Sequence, residues 1–336
     1  MKRILACAAF LLCHVAHAQQ CGIYKGTLLK DGFGPPDASF VMEPEATLPP
    51  ESTTLALTVA APADNVVVGT RSVQVYGTYA GPPAVGVAIN QISAVQTANQ
   101  YVGQVVLSPG SNTITVKLTK LTGETETVTR TVTYDPQQQP DVELLAEIEG
   151  EHAPIKPSFT IEKNGAMGLT VTRLQIDYDN DGTLDIDTTN PNAALSFEYR
   201  NPGFYTASAN ITLDDGDPET PPIVRTSTQR IAVVPLPLTR ATICYVFYRL
   251  KDRLAANDIP DALNSISSEE RTFYSNRFGK IKNLPAIALK LGTVVDGKLG
   301  IDIASIKLRQ IVNDTPRGAS VSFERIEDGV WRITSM

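Results

Sequence analysis

The chain has 336 residues, and its 36 Asp+Glu outnumber its 29 Lys+Arg for a formal net charge of −7. That acidic balance repels the phosphate backbone and argues against nucleic acid as a partner. The length exceeds what one small core needs and calls for two or three domains, with 23 Gly and 23 Pro marking the seams. In chain order, residues 1–18 have the pattern of a cleavable secretory signal. Lys2 and Arg3 form the positive start, and Ile4 to Cys13 is an apolar run too short to span a bilayer. Ala16-His17-Ala18 then places small residues at the two positions a signal peptidase reads. The alternatives are an uncleaved anchor, or a lipoprotein at Cys21, although Ala18-Gln19-Gln20 is not the set that lipid attachment needs. The expected location is extracytoplasmic: periplasm, cell surface or medium. No later apolar stretch is long enough for a transmembrane helix. Cys7 and Cys13 leave with the signal, so Cys21 and Cys244 remain. In an oxidising compartment an even pair suggests one disulfide, against the alternative of two unpaired buried thiols.

Residues 19–52 read as an N-terminal extension and linker, with a short strand near Gly22 to Leu29 and Pro/Gly-rich loops around Gly34 and Pro49. Residues 53–135 are dense in Val and Thr with period-two alternation. Thr54 to Ala60, Ser72 to Gly77, Asn112 to Thr119 and Thr125 to Tyr134 are the predicted strands, the second of them ended by its glycine. Turn residues recur every eight to twelve positions, the spacing of an all-β sandwich. Ala61 to Asn65, Val73 to Thr78 and Leu107 to Val116 resemble the immunoglobulin-like modules of exported bacterial proteins, including the glucodextranase B-type module. The family's usual glycine turn is Ile89-Asn90-Gln91 here. The resemblance implies a fold and no chemistry.

Residues 136–236 read as a second sandwich, with strands at Thr170 to Tyr178, Ala207 to Leu213 and Arg225 to Val234. Asn201-Pro202-Gly203-Phe204-Tyr205-Thr206-Ala207 resembles the Pro-Gly-x-Tyr segment of polycystic-kidney-disease (PKD) type domains, and Leu213 to Asp217 resembles their acidic turn. Residues 237–336 change to helices followed by strands, an α+β order. Ile243, Val246, Phe247, Leu250 and Leu254 fall on one helical stripe between Thr239 and Asn257. Pro260 opens a short helix, Ser267 with Glu270 forms a capping box for a third, and Pro285 to Leu291 makes a fourth. The predicted strands are Gly300 to Val312, Ala319 to Ile326 and Val330 to Thr334. Leu254 to Leu263 and Glu327 to Ile333 resemble the two ends of nuclear-transport-factor-two-like (SnoaL-like) domains. The fold class is therefore multidomain and mainly β: two Ig-like β-sandwiches followed by a small α+β domain with a curved antiparallel sheet.

The sharpest local motif is Asp177-Tyr178-Asp179-Asn180-Asp181-Gly182-Thr183-Leu184-Asp185. Carboxylates at alternate positions around a glycine are how oxygen-rich loops wrap Ca²⁺. Asp177, Asp179 and Asp181 are the expected side-chain ligands, Thr183 offers its carbonyl, and Asp185 binds directly or through water. Thr188 stands where an EF-hand carries its bidentate Glu, and a strand leads in, so the loop is not an EF-hand. The opposing reading is a solvated polar turn built on Asn180-Asp181-Gly182. Asp214, Asp215 and Asp217 form a second acidic turn that either completes the same site or is a separate loop, the latter being the preferred reading.

Catalysis has little to work with. Three His are present, and two of them, His14 and His17, lie in the signal. His152 is left in a Glu-Gly-Glu-His-Ala-Pro loop and reads as solvent-exposed. No Gly-x-Ser-x-Gly elbow occurs, and a His-based zinc site cannot be assembled from one chain. Trp331 and the helical aromatics Tyr245, Phe247, Tyr248, Phe273, Tyr274 and Phe278 read as core rather than a ligand box. The expectation is a non-catalytic binding, adhesion or scaffold protein stiffened by calcium, with a protein or glycan partner outside the cytoplasm. The alternatives are an accessory or enzymatic protein acting on extracellular polysaccharide, and a structural component of a surface assembly.

Overall fold

The computed structural model describes residues 46–147, 152–164, 168–325 and 327–336. The signal, the Gly22 to Leu29 strand and Cys21 lie outside the described residues.

The first module contains β1 (Ala56–Leu57), β2 (Val66–Val68), β3 (Ser72–Ala80), β4 (Gly86–Ile89), β5 (Ile92–Ser93), β6 (Val95–Gln96), β7 (Gln100–Val106), β8 (Gly110–Thr119) and β9 (Thr125–Tyr134). They form two sheets, β1-β3-β7-β6 and β2-β9-β8-β4-β5, packed face to face. Alternation makes the core: Val73 and Val75 from β3 meet Ile114, Val116 and Leu118 from β8. The predicted first strand shrinks to two residues, and β3 runs on to Ala80 instead of ending at Gly77. Gly77 is a point of close approach. A Cβ there would lie 2.0 Å from the Thr58 carbonyl oxygen, to which the buried Tyr101 hydroxyl donates at 2.8 Å. The Asn90-Gln91 turn needs no glycine. Both residues sit at positive φ, and the Asn90 side chain accepts the Thr115 amide at 2.8 Å.

The second module pairs the sheet β10 (Val142–Glu147), β11 (Ser158–Lys163) and β14 (Leu195–Ser196) with a larger sheet. The latter has β13 (Ile186–Thr188), β12 (Thr170–Asp177), β15 (Gly203–Asp214) and β16 (Ile223–Val233) in that spatial order. Between the sheets runs a chain of aromatic contacts, Phe159–Tyr178–Phe197–Tyr199–Tyr205, with ring centroids 4.6–5.3 Å apart.

The third module opens with α1 (Leu236–Ala255), α2 (Ile259–Ala262), α3 (Arg271–Gly279) and α4 (Leu284–Lys290). A four-stranded antiparallel sheet follows in chain order: β17 (Thr293–Leu299), β18 (Ile303–Val312), β19 (Thr315–Arg325) and β20 (Trp331–Ser335). The α1 stripe is fully buried against this sheet, as its periodicity predicts. Two local expectations fail. α3 starts at Arg271 without a side-chain cap, and the Ser267 hydroxyl is buried without a partner, so the capping box does not form. β17, which holds the pair Asp296-Gly297, is not among the expected strands. The strand absorbs the pair through a register shift between Val294 and Asp296.

The modules pack on one another. Ala84 and Leu121 of the first sandwich belong to the apolar core of the third module. Gly86 and Gly329 touch: a Cβ on Gly86 would lie 2.1 Å from the Gly329 carbonyl carbon, and one on Gly329 (φ +72°) 2.4 Å from the Val87 oxygen. The first and second modules are clasped by Gln74. Its amide nitrogen donates to the Arg230 carbonyl at 2.9 Å, and its oxygen accepts the Arg230 amide at 2.7 Å. The Arg230 guanidinium also lies over Tyr76 and Phe204.

Candidate functional site

The acidic loop joins β12 to β13. β12 ends at Asp177, and the chain returns when the Asp185 amide donates to the Ile176 carbonyl at 2.9 Å. Short Asp side chains accept local amides and so hold turns that L-residues otherwise avoid. The Asp177 carboxylate accepts the amides of Asn180 (2.6 Å) and Gly182 (2.9 Å), both residues at positive φ. The Asp185 carboxylate accepts the Tyr178 amide at 2.8 Å. As a result Asp177, Asp179 and Asp185 each place a carboxylate oxygen within 4.8 Å of the others. This is the spacing that a hard cation with oxygen ligands requires.

Three of the five expected ligands thus converge. Asp181 turns instead to accept the Thr183 amide at 2.7 Å and stands outside the cluster. Asp187, two residues past the loop, is neutralised elsewhere: Arg173 donates to both of its oxygens, at 2.7 and 2.6 Å. Partial burial, followed by the negative charges of Asp181, Asp185 and Asp177, holds the Asp179 carboxyl above the usual carboxylate range.

The second acidic turn lies at the other end of the sheet. Asp214 is opposite Thr170 while Asp177 is opposite Ser208, so seven residues of β12, about 23 Å, separate them. Asp214, Asp215 and Asp217 each accept the amide two residues on, a run of local turns that cannot complete the first cluster.

Cys244 is buried on α1 and is disulfide-bonded. Its expected partner, Cys21, lies outside the described residues. His152 is not the exposed loop residue expected. It is half-buried, its strand-like bridge to Val234 fixes it, and its Nε2 lies 3.0 Å from the Thr239 hydroxyl on α1. Trp331, Phe247, Tyr274 and Phe278 are core residues and Tyr245 and Tyr248 flank them, whereas Phe273 is 53% exposed. What sequence reasoning missed are the junction residues Gln74, Tyr76, Phe204 and Arg230. The available signal was two aromatic side chains on the outward positions of strands whose other outward residues are polar.

No family model and no curated protein matches the chain. Solved structures are similar to about half of the chain at low identity. One is a structure of the fibronectin(III)-like modules of Clostridium thermocellum CbhA (12% identity, 54% of this chain and 95% of that chain, TM-score 0.20). Another is domains 5–6 of the S-layer protein SbsC (13%, 55% and 100%, TM-score 0.24). A third is latent PorU from Porphyromonas gingivalis (11%, 55% and 20%, TM-score 0.27). By its own strand order the chain is a mainly β, multidomain protein with two Ig-like sandwiches and an α+β module. Among the described residues no helix is long and apolar enough to cross a membrane.

Proposed function

We propose that this is an exported, non-catalytic binding or scaffold protein whose second sandwich is clamped by calcium. The observation that carries the calcium reading is the convergence of Asp177, Asp179 and Asp185 within 4.8 Å. Ca²⁺ takes six to eight oxygens, so three carboxylates, the Thr183 carbonyl and water are the chemically suitable donors. The ion would offset the mutual repulsion of the cluster and tie the β12–β13 turn together, with no bond made or broken. Outside the cytoplasm calcium is concentrated enough to fill weak sites. The signal pattern of residues 1–18 and the Cys21–Cys244 pair belong to the same reading, since both require export.

The test is a thermal melt of the full chain with chelator and with millimolar Ca²⁺. The midpoint is expected to rise with Ca²⁺ in the parent and not in Asp179→Asn. An unchanged parent midpoint would sink the calcium reading. For export, expression with the native leader followed by N-terminal sequencing is expected to find Gln19 first. Protein retained in the cytoplasm with Met1 intact would count against it.

A further inference from the structure

A cavity of about 220 Å³ lies where the three modules meet. It is bounded by the Tyr79–Val85 segment of the first sandwich, by Leu238 and Thr242 of α1, and by Ile301, Arg325 and Trp331 around the third module's sheet. Most of the wall is apolar. It is smaller than the ~300–1,000 Å³ of sites for drug-sized ligands, but larger than the ~150 Å³ engineered cavity that binds benzene. Its polar end is built from Arg325 and Gln96, and the Arg325 guanidinium is not fully used. Asp302 takes Nε and Nη2 of Arg325 at 3.1 and 2.8 Å, leaving Nη1 with only a long 3.4 Å approach to the Gln96 oxygen. The Gln96 amide nitrogen has a similarly long 3.4 Å contact to the Val85 carbonyl, and the same side chain also bonds the Tyr79 hydroxyl. The Arg325 side chain is 6% exposed and lies 5.9 Å from the Trp331 ring centroid. A buried guanidinium with a weakly met N–H at the cavity is complementary to a carboxylate.

The geometry points to a binding site for a small organic acid, a carboxylate on a single-ring aromatic body, seated between the modules with its head on Arg325 and Gln96 and its ring against Trp331. This site is independent of the acidic loop and of any cation there. The ligand bridges the first and third modules, so its binding favours their docked arrangement.

The test uses the single Trp of the chain. Benzoate, phenylacetate and their uncharged counterpart benzyl alcohol are titrated into the full chain while Trp331 emission and the melting midpoint are followed. The acids are expected to give a saturable change in emission and a higher midpoint, and to bind about tenfold more tightly than the alcohol. Thr242→Leu fills the cavity. Thr242 is half-buried and its hydroxyl bonds only the Leu238 carbonyl of its own helix, so the variant is expected to fold with an unchanged or higher midpoint and to lose the response. No saturable change with either acid at millimolar concentration would overturn the proposal. So would equal affinity for acid and alcohol, or an undiminished response in Thr242→Leu.

Discussion

Asp179 carries opposite energetic signs in the two states the acidic loop can adopt. Its folded pKa is raised, so the folded chain holds this proton more tightly than the unfolded chain does. The stability this confers is present at low pH and is lost as pH rises through the folded pKa. At neutral pH without divalent cation, the ionised Asp179 therefore opposes folding, and Asp179→Asn is expected to melt at or above the parent. With millimolar Ca²⁺ the order should invert, because the variant lacks a ligand. Melts at neutral pH in both conditions check this. An Asn variant that melts lower in both would make Asp179 a purely structural turn residue. Alternation of acids along the sequence marks the loop but does not say which carboxylate turns inward. Asp181 is spaced as regularly as Asp177 and Asp179, yet its oxygen is taken by the Thr183 amide. That choice is made by local amide hydrogen bonds, which period-two spacing does not encode.

At the scale of elements, what was legible is what repeats. β8 and β9 and the α1 stripe follow directly from their periodicity, because a single buried face dictates every second or every third-to-fourth residue. Glycine does not by itself end a strand. Gly77 looks like a strand end but is an inward position within β3, vacated for the Thr58 carbonyl and the Tyr101 hydroxyl. Gly297, after Asp296, also lies within a strand, β17, which is not among those expected. In both cases the deciding fact is a neighbouring strand, which the local sequence does not contain. Gly77→Val keeps β propensity and should strengthen the strand if glycine were a mere terminator. Because a Cβ there would overlap backbone, it is expected instead to destabilise the chain by about 1–3 kcal/mol, measured by chemical denaturation. A neutral or stabilising result would mean that β3 does not pass Thr58 as closely as described.

At the scale of the whole molecule, modules in tandem suggest beads on a string, and the contacts argue otherwise. The first sandwich skips its sequence neighbour to share a core with the third module through Ala84 and Leu121, while Gln74 closes its other side onto β16. Outward-facing residues do this work, and apart from the aromatic pair Tyr76 and Phe204 they look in the sequence like ordinary solvent-facing positions, so the docking was legible only at that pair. The closest approach is backbone on backbone, at Gly86 and Gly329, where even a methyl group has no room. Two substitutions of different severity separate docking from folding. Gln74→Ala removes two hydrogen bonds across the first junction and is expected to cost about 1–3 kcal/mol while leaving one cooperative transition. Gly329→Ala combines a positive φ with the Val87 oxygen 2.4 Å from the new Cβ. It is expected to release the first sandwich, so that calorimetry resolves two transitions and limited proteolysis cuts the linker preceding Ala56. Each module has its own buried core, so the released parts should remain folded. A single transition at the parent midpoint in Gly329→Ala would show that this contact contributes nothing to holding the modules together. A split transition would mean that the rigid unit of this protein is the whole assembly of three modules rather than any one of them.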